Sequence, residues 1–221
     1  MGNISILTKN QKILLDLITN NIYFSSKYYF TGGTALNEFY LHHRYSDDLD
    51  FFSNDKVDIQ AVFELIERWS KKLHFRFTSR FAEVVYRFNI TFPNNENIKI
   101  DFGHYPYPII EKSNIKYKKM MINSLRDIGS NKIITIIQRT DVKDFVDLYF
   151  LLRENYTIWD LIYSAQEKFR QMDIDIMLLA EDLLKVEDFT TLPRMIKPLK
   201  LSQLKAFFRK EAIILGSKAV E

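Results

Sequence analysis

The sequence predicts an α+β protein, in which a mixed sheet with flanking helices is followed by a helical C-terminal region. Two features of the chain support this class. Apolar residues alternate with polar ones only before residue 103, whereas from Asp127 onward their spacing is that of helices. Hydrophobic residues make up 47% of the 221, which is enough core for one large domain or two small ones. A proline-containing connector divides the halves, and we assign the domains to residues 1–115 and 116–221.

Each element follows from its own pattern along the chain. Aromatic, β-branched or alternating runs predict strands at residues 28–30, 48–52, 75–79, 84–90 and 98–102. Apolar residues at helical spacing predict helices at residues 13–18, 35–41, 59–73, 128–138, 142–153, 158–169, 174–186 and 201–214. Thr34 stands where its side chain would cap the second of these helices.

Composition excludes several kinds of protein. Cysteine is absent, which excludes a disulfide framework, a Cys-ligated zinc site, an iron–sulfur cluster and a thiol nucleophile. The net charge of +3 is too small to indicate a nucleic-acid binder by charge alone. We see no secretory leader in residues 1–5 and no apolar stretch near the ~20 residues of a membrane span. We therefore expect a cytoplasmic protein that does not bind membranes.

Three carboxylates give the clearest chemical signal. Asp48 and Asp50 are two positions apart on a predicted strand, so their side chains share a face. Asp101 lies between apolar residues on another predicted strand. If these strands are neighbours, three acids meet on one face, and a hard divalent cation such as Mg²⁺ or Mn²⁺ would offset their repulsion. The alternative is that Asp48 and Asp50 are solvated acids on a surface strand.

A glycine pair precedes the acids. Gly32, Gly33 and Thr34 close a predicted strand and open a predicted helix. Glycines allow backbone amides to approach a phosphate closely, so this turn is a candidate phosphate site. An ordinary tight turn with a threonine cap is the alternative.

The order strand, Gly-Gly-Thr, helix, Asp-x-Asp and a later lone Asp resembles the nucleotidyltransferase fold of the DNA polymerase beta superfamily. The sequences FTGGTAL at residues 30–36, RYSDDLDFF at 44–52 and KDFVDLYFLL at 143–152 are similar to the AbiEii/AbiGii toxin family of nucleotidyltransferases. The resemblance runs in order from about residue 28 to residue 208.

This resemblance implies an activity and a first set of site residues. Such proteins use magnesium and a nucleoside triphosphate to transfer a nucleotidyl group, in some members onto the acceptor end of tRNA. Several are toxins that an antitoxin protein neutralises. The family's metal ligands correspond to Asp48, Asp50 and Asp101. Its phosphate-binding turn corresponds to Gly32, Gly33 and Thr34, with Ser46 as a further nucleotide contact.

The resemblance also assigns roles in the second half. Lys132, Asp144 and Asp147 fall on catalytic positions, and Lys132 and Lys143 on nucleotide-binding ones. Helical spacing allows Lys143, Asp144 and Asp147 to face one cleft. A surface ion pair between Lys143 and Asp147, worth about 0.3–0.5 kcal/mol, is the alternative.

Together these features predict Mg²⁺-dependent transfer of a nucleoside monophosphate to a hydroxyl, on RNA or tRNA, by a toxin of a toxin–antitoxin or phage-defence system. In the expected two-metal mechanism, Asp48 and Asp50 hold both ions and Asp101 ligates the one nearer the attacking group. Lys132 and the glycine amides hold the triphosphate, and the site lies in the cleft between the two halves. The alternatives are a small-molecule or protein acceptor, and a non-catalytic nucleotide-binding or partner-binding module.

Overall fold

The computed structural model describes residues 5–220, with side chains as far as residue 218. This part of the chain forms two compact units that interleave in sequence. The sheet unit comprises residues 5–38, Ser46–Tyr107 and Ser113–Asn123. The helical unit comprises Phe39–Tyr45, Pro108–Lys112 and residues 124–220. Because the units interleave, the single domain boundary after residue 115 stays a prediction.

The sheet unit contains a five-stranded mixed sheet, which confirms the predicted α+β class. Its strands are β1 (Tyr29–Thr31), β2 (Asp48–Ser53), β3 (Arg76–Ala82), β4 (Val85–Thr91) and β5 (Asn97–His104). They lie in the order β1-β2-β5-β4-β3. Strands β2 and β5 are parallel and the other neighbours are antiparallel. The predicted strands at 48–52 and 98–102 are thus neighbours at the centre of the sheet.

Helices and a small hairpin complete the sheet unit. They are α1 (Lys9–Asn20), α2 (Ile22–Lys27), α3 (Gly32–Leu36), α4 (Ile59–Leu73), β6 (Lys116–Tyr117) and β7 (Met120–Met121). Thr8 and Gln11 form a capping box on α1, and Asp58 caps α4. The core is largely aromatic: Phe24, for example, stacks on Phe102 with ring centroids 4.9 Å apart.

The prediction that Thr34 caps a helix beginning at residue 35 is wrong. Helix α3 already begins at Gly32, and Thr31 occupies the cap position without a side-chain hydrogen bond. A π-helical turn, Asn37–Leu41, follows α3. The hydroxyl of Thr34 instead donates to the backbone carbonyl of Asp48. Thr34 therefore joins the glycine turn to β2.

The helical unit contains the helices predicted after residue 127. They are α5 (Leu125–Gln138), α6 (Val142–Glu154), α7 (Ile158–Lys168), α8 (Ile176–Leu184) and α9 (Leu201–Val220). A 3₁₀ turn, Lys185–Asp188, ends the segment that the pattern treats as one helix. Ser124, Asp141, Thr157 and Asp175 cap α5 to α8 with their side chains, which sets where each helix begins.

The length and apolar character of the helices decide whether any of them could cross a membrane. Within residues 5–220, none of them combines the length and the apolar character needed to cross a bilayer. Residues 1–4, in which the sequence predicts no secretory leader, lie outside the described residues.

Candidate active site

The three predicted metal ligands lie on one face of the sheet. In the parallel pair of β2 and β5, Asp50 lies opposite Asp101 and Asp48 opposite Lys99. Positions paired in this way project to the same side of a sheet. The intervening residues, such as Leu49 and Ile100, are fully buried on the other side. The period-two pattern and the strand order together bring these acids onto a common surface.

Two basic side chains form ion pairs with Asp101 and Asp48. Arg87 on β4 donates to Asp101 from Nε and Nη2, at 2.9 and 2.8 Å. Lys99 places its Nζ 2.7 Å from a carboxylate oxygen of Asp48. Sequence reasoning missed both cations. The signal was present, since Lys99 lies two positions before Asp101 on one strand and therefore shares its face.

The glycine turn lies directly against the acids. Thr31, the last residue of β1, pairs with Asp50, and Gly32 follows it. Gly32 has a φ of +74°, a left-handed conformation that disfavours other residues. A Cβ at this position would lie 2.1 Å from Oδ2 of Asp50. A side chain is therefore excluded where backbone and carboxylate meet.

The remaining predicted nucleotide contacts of the sheet unit lie around this turn. Gly33 is partly exposed, and its carbonyl accepts a bond from the side chain of Asn37. Thr34 is buried and holds β2, as described above. Ser46 is buried too, and its carbonyl accepts a bond of 2.9 Å from Gln11. The turn thus has two partly exposed residues, Gly32 and Gly33, between the buried Thr31 and Thr34.

Oxygen donors without cysteine are the chemistry that Mg²⁺ and Mn²⁺ prefer, so the donor set fits such a cation. The arrangement is not a formed metal cage. Among the described residues, no group of three or more acidic, histidine or cysteine side chains is gathered closely enough to hold an ion. Asp48 and Asp101 would first have to release Lys99 and Arg87.

A second group of charged residues, which we call the buried ion network, lies in the helical unit around Asp147. Arg44 donates to both carboxylate oxygens of Asp147, at 2.7 and 2.8 Å. Lys132 on α5 places its Nζ 2.6 Å from Oδ2, and Nε2 of His43 lies 2.8 Å from Oδ1. The side chain of Asp147 is wholly inaccessible to solvent.

The network extends to Asp144 on the same helix. Lys132 lies 2.7 Å from Asp144, and Arg139 donates to it at 2.9 Å. Lys143, by contrast, is exposed. The structure therefore brings Lys132, Asp144 and Asp147 together and separates Lys143 from them. Asp147 bonds to the network and not to Lys143, so the alternative of an intrahelical surface pair is wrong.

Charge within the network fixes its protonation. Burial alone would raise the pKa of Asp147, but the charges of Arg44 and Lys132 outweigh it and hold that pKa well below its usual range. Burial would lower the pKa of Lys132, and the two aspartates reverse this and raise it. Burial lowers the pKa of His43, and Asp147 only partly offsets the effect. Near neutral pH, His43 is therefore neutral and donates from Nε2 to the ionised Asp147.

Sequence reasoning missed His43 and Arg44 as members of this network. A backbone bridge between Arg44 and Met195 positions them, and the carbonyl of His43 accepts a bond from Ile196. Arg44 is only 2% exposed, and a charged side chain is rarely buried so completely unless it is paired with an opposite charge. In the sequence, only the position of Arg44 in RYSDDLDFF indicated that it is important, and that motif does not identify a partner 103 residues away.

Solved structures share this fold. JHP933 of Helicobacter pylori has a TM-score of 0.57 and 20% identity, covering 97% of this chain and 95% of that one. MenT4, a nucleotidyltransferase toxin of Mycobacterium tuberculosis, has a TM-score of 0.56 and 14% identity, covering 92% and 82%. An uncharacterised protein of Aquifex aeolicus is 29% identical over 186 residues, which are 82% of this chain and 84% of that protein.

The family model described as "Nucleotidyl transferase AbiEii toxin, Type IV TA system" matches residues 15–213. The chain belongs to this family. It is thus a nucleotidyltransferase toxin of a toxin–antitoxin system, as the FTGGTAL and RYSDDLDFF segments predict. Membership implies a nucleoside triphosphate as substrate and suggests an antitoxin as partner.

Proposed function

We propose that the protein transfers a nucleoside monophosphate from a nucleoside triphosphate to a hydroxyl on RNA, with tRNA as the first acceptor to test. One observation supports this most strongly. Asp50 and Asp101 are register neighbours, and the Gly32 turn lies against Asp50 on the other side. A polyphosphate at the turn would then have its reacting end beside the acids. The same proposal includes a cytoplasmic location and a cognate antitoxin.

The glycine turn is the proposed binding site of the triphosphate. At Gly32 the absence of a Cβ lets the backbone lie directly against the Asp50 carboxylate, and Gly33 is partly exposed beside it. Thr34 contributes by holding this backbone to β2. Ser46 is a further contact whose backbone Gln11 fixes.

Asp48, Asp50 and Asp101 would hold Mg²⁺, or Mn²⁺ in its place, in a two-metal arrangement. When bound, the metal lowers the pKa of the acceptor hydroxyl and neutralises charge on the pyrophosphate leaving group. The protein's own part is positional. Lys99 and Arg87 orient two of the acids, and both are exposed enough to move aside.

The helical unit supplies the second group of proposed residues. Lys143 is exposed and free to contact the triphosphate as a point charge. Lys132, Asp144 and Asp147 pair with one another, and Arg44 and Arg139 supply the further positive charge, which favours a role in keeping the helical unit rigid. A direct role for Asp144 or Asp147 in orienting the acceptor requires the network to open.

The test is a transfer assay with four separately labelled nucleoside triphosphates, Mg²⁺ and total tRNA. We expect label on RNA with the native chain and at least about 100-fold slower labelling with Asp50→Asn. The matched control is Asp55→Asn, which removes an exposed acid just beyond the end of β2 and should leave transfer unchanged.

Other outcomes identify the alternatives. Label on protein or on a small molecule, with none on RNA, would replace the acceptor and keep the chemistry. Calorimetry that finds triphosphate binding without Mg²⁺ dependence, together with no transfer to any acceptor, would indicate a non-catalytic module.

A further inference from the structure

A line of polar residues crosses the whole sheet. Thr31, Asp50, Asp101, Arg87 and Arg80 are each paired with the next one along the strands β1, β2, β5, β4 and β3. All five therefore project from the face that carries the acids. Neighbouring strands are about 4.8 Å apart, so the row extends roughly 19 Å from the glycine turn to its outer end.

The outer end of this row has two arginines directly opposite each other. Like charges in such cross-strand pairs are destabilising. Arg87 is neutralised by Asp101 through Nε and Nη2. The side chain of Arg80 is exposed, and it makes no hydrogen bond or ion pair with any residue of the described part of the chain. The row therefore ends in a positive charge that the described protein does not compensate.

A cavity lies at this end. Its volume is about 180 Å³, and Arg80, Ala82, Val85 and Arg87 line it. Ala82 and Val85 pair with each other across β3 and β4, which puts a small apolar surface beside the Arg80–Arg87 pair. Guanidinium groups bind phosphate oxygens through two parallel donors, and the volume suffices for a phosphate with several waters.

We propose that Arg80 and Arg87 bind a backbone phosphate of a single-stranded RNA acceptor. This inference rests on the proposed nucleotidyl transfer and specifies the acceptor as a polynucleotide. The position in the row favours the acceptor over the triphosphate. The glycine turn is at the opposite end, four strand spacings from β3, and the acids lie between the two. A triphosphate seated at the turn does not extend to Arg80, whereas an RNA strand with its end at the acids does.

The experiment compares Arg80→Gln with Arg76→Gln. Arg76 has the same charge, strand and face, is exposed, and lies four positions away, outside the cavity. The probe is a short fluorescent single-stranded oligoribonucleotide without triphosphate, and its affinity is measured by anisotropy at several salt concentrations. Calorimetry with ATP, GTP, CTP and UTP measures the triphosphate separately. Arg87 is left unchanged because it also holds Asp101.

We expect Arg80→Gln to weaken RNA binding roughly fivefold to tenfold, as loss of a charged hydrogen bond does. The slope of log affinity against log salt should become less steep by about 0.7, the value for one phosphate contact on a single strand. Arg76→Gln should stay within about twofold of the native chain. Triphosphate affinity should be the same in all three proteins.

Three results would overturn the inference. Weaker triphosphate binding with unchanged RNA binding would assign the arginines to the nucleotide. Equal losses in both variants would indicate general attraction by charge. Absence of RNA binding by the native chain would exclude a polynucleotide acceptor, while transfer to another acceptor would keep the proposed chemistry. Since binding is measured without transfer, an inactive protein can still support the inference.

Discussion

Two groups of charged residues differ sharply in their exposure to solvent. On the sheet face, each ion pair has at least one well-exposed member: the side chains of Asp48 and Arg87 are 38% and 48% exposed, although that of Asp101 is 8% exposed. In the buried ion network, those of Asp147 and Lys132 are 0% and 9% exposed. Both groups pair acids with bases at similar distances. Their surroundings, and not their bonds, therefore set what each can do.

The difference determines how easily each group exchanges partners. Partly exposed ion pairs are worth about 0–1 kcal/mol, so a competing cation can open those of Lys99 and Arg87. A buried pair that loses one member leaves a charge without solvent or partner, at a cost of about 3–5 kcal/mol. The sheet face is thus suited to binding, and the network to holding the helical unit in one conformation.

Asp147→Asn should have the largest effect. It removes the carboxylate that neutralises Arg44 and Lys132, so we expect the free energy of unfolding to fall by about 3–5 kcal/mol. Urea unfolding followed by circular dichroism measures the change. The control is Asp173→Asn, an exposed acid of the same unit, which should stay within about 0.5 kcal/mol.

If the Asp147→Asn protein is stable but lacks transfer activity, the conclusion that the buried ion network is structural is wrong. In that case Asp147 would belong with the acids of the sheet face as a catalytic residue, as the family resemblance implies.

Asp50→Asn should have the next largest effect, on activity alone. Loss of a ligand to the metal that would neutralise the transition-state charge should lower the rate about 100-fold to 1000-fold. The unfolding free energy should change by no more than about 0.5 kcal/mol, because the side chain is partly exposed. The labelled transfer assay and urea unfolding measure the two quantities. If this variant unfolds as readily as Asp147→Asn, the distinction between the two groups is wrong.

Local patterns predicted the strands and the shared face of the acids, because side-chain direction along a strand has a period of two. The pairing of β2 with β5 is not local, since β3 and β4 lie between them in sequence. From the residues alone, the meeting of the three acids on one face depended on the two strands being neighbours, which the sequence pattern does not determine. The family resemblance, and not the periodicity, indicated that Asp48, Asp50 and Asp101 belong to one site.

The buried ion network shows where sequence patterns are insufficient. Helix α6 buries Asp144 and Asp147 together with Phe145 and Leu148, so its acids do not lie on a polar side. Periodicity assigns charged residues to solvent unless a partner is known, and Arg44 is 103 positions from Asp147. Burial of such a pair depends on tertiary packing, which no window of neighbouring residues contains.

Gly32→Ala should have an intermediate effect that sharpens the assignment of the sheet face. The left-handed conformation costs a residue with a Cβ about 1–2 kcal/mol, and the added atom would displace the Asp50 carboxylate. We expect transfer to fall about 10-fold to 100-fold, because misplacement of a reacting group is costly. Kinetic assays and urea unfolding separate the two effects.

The control for Gly32→Ala is Gly216→Ala on α9, where an added Cβ meets nothing within 4 Å. It should keep full activity and gain about 0.5–1 kcal/mol of stability, since alanine is the better helix former. Equal activity in the two variants would show that transfer does not depend on the position of the Asp50 carboxylate.

His43→Gln should have the smallest effect, confined to the pH dependence of stability. Burial holds the pKa of His43 below its ordinary 6.5, so the unfolded chain takes up a proton first as the pH falls. The stabilisation from neutral His43 is therefore complete above about pH 6.5 and is lost as the pH falls toward the folded-state value. Glutamine can still donate to Asp147 but does not titrate. Thermal unfolding should show that the native chain loses more stability than the variant between about pH 7.5 and 5.5.

His43→Phe provides the second variant for this last test. Phenylalanine can keep the ring contact with Phe150, whose centroid lies 4.6 Å from that of His43, but it donates no bond to Asp147. Both variants should lack the extra pH dependence, and only His43→Phe should also lose about 1–3 kcal/mol at every pH. If the native chain and His43→Gln respond equally to pH, then His43 is not held neutral. Burial in the network would in that case not lower the pKa of His43, and the two groups of charged residues would not differ in this respect.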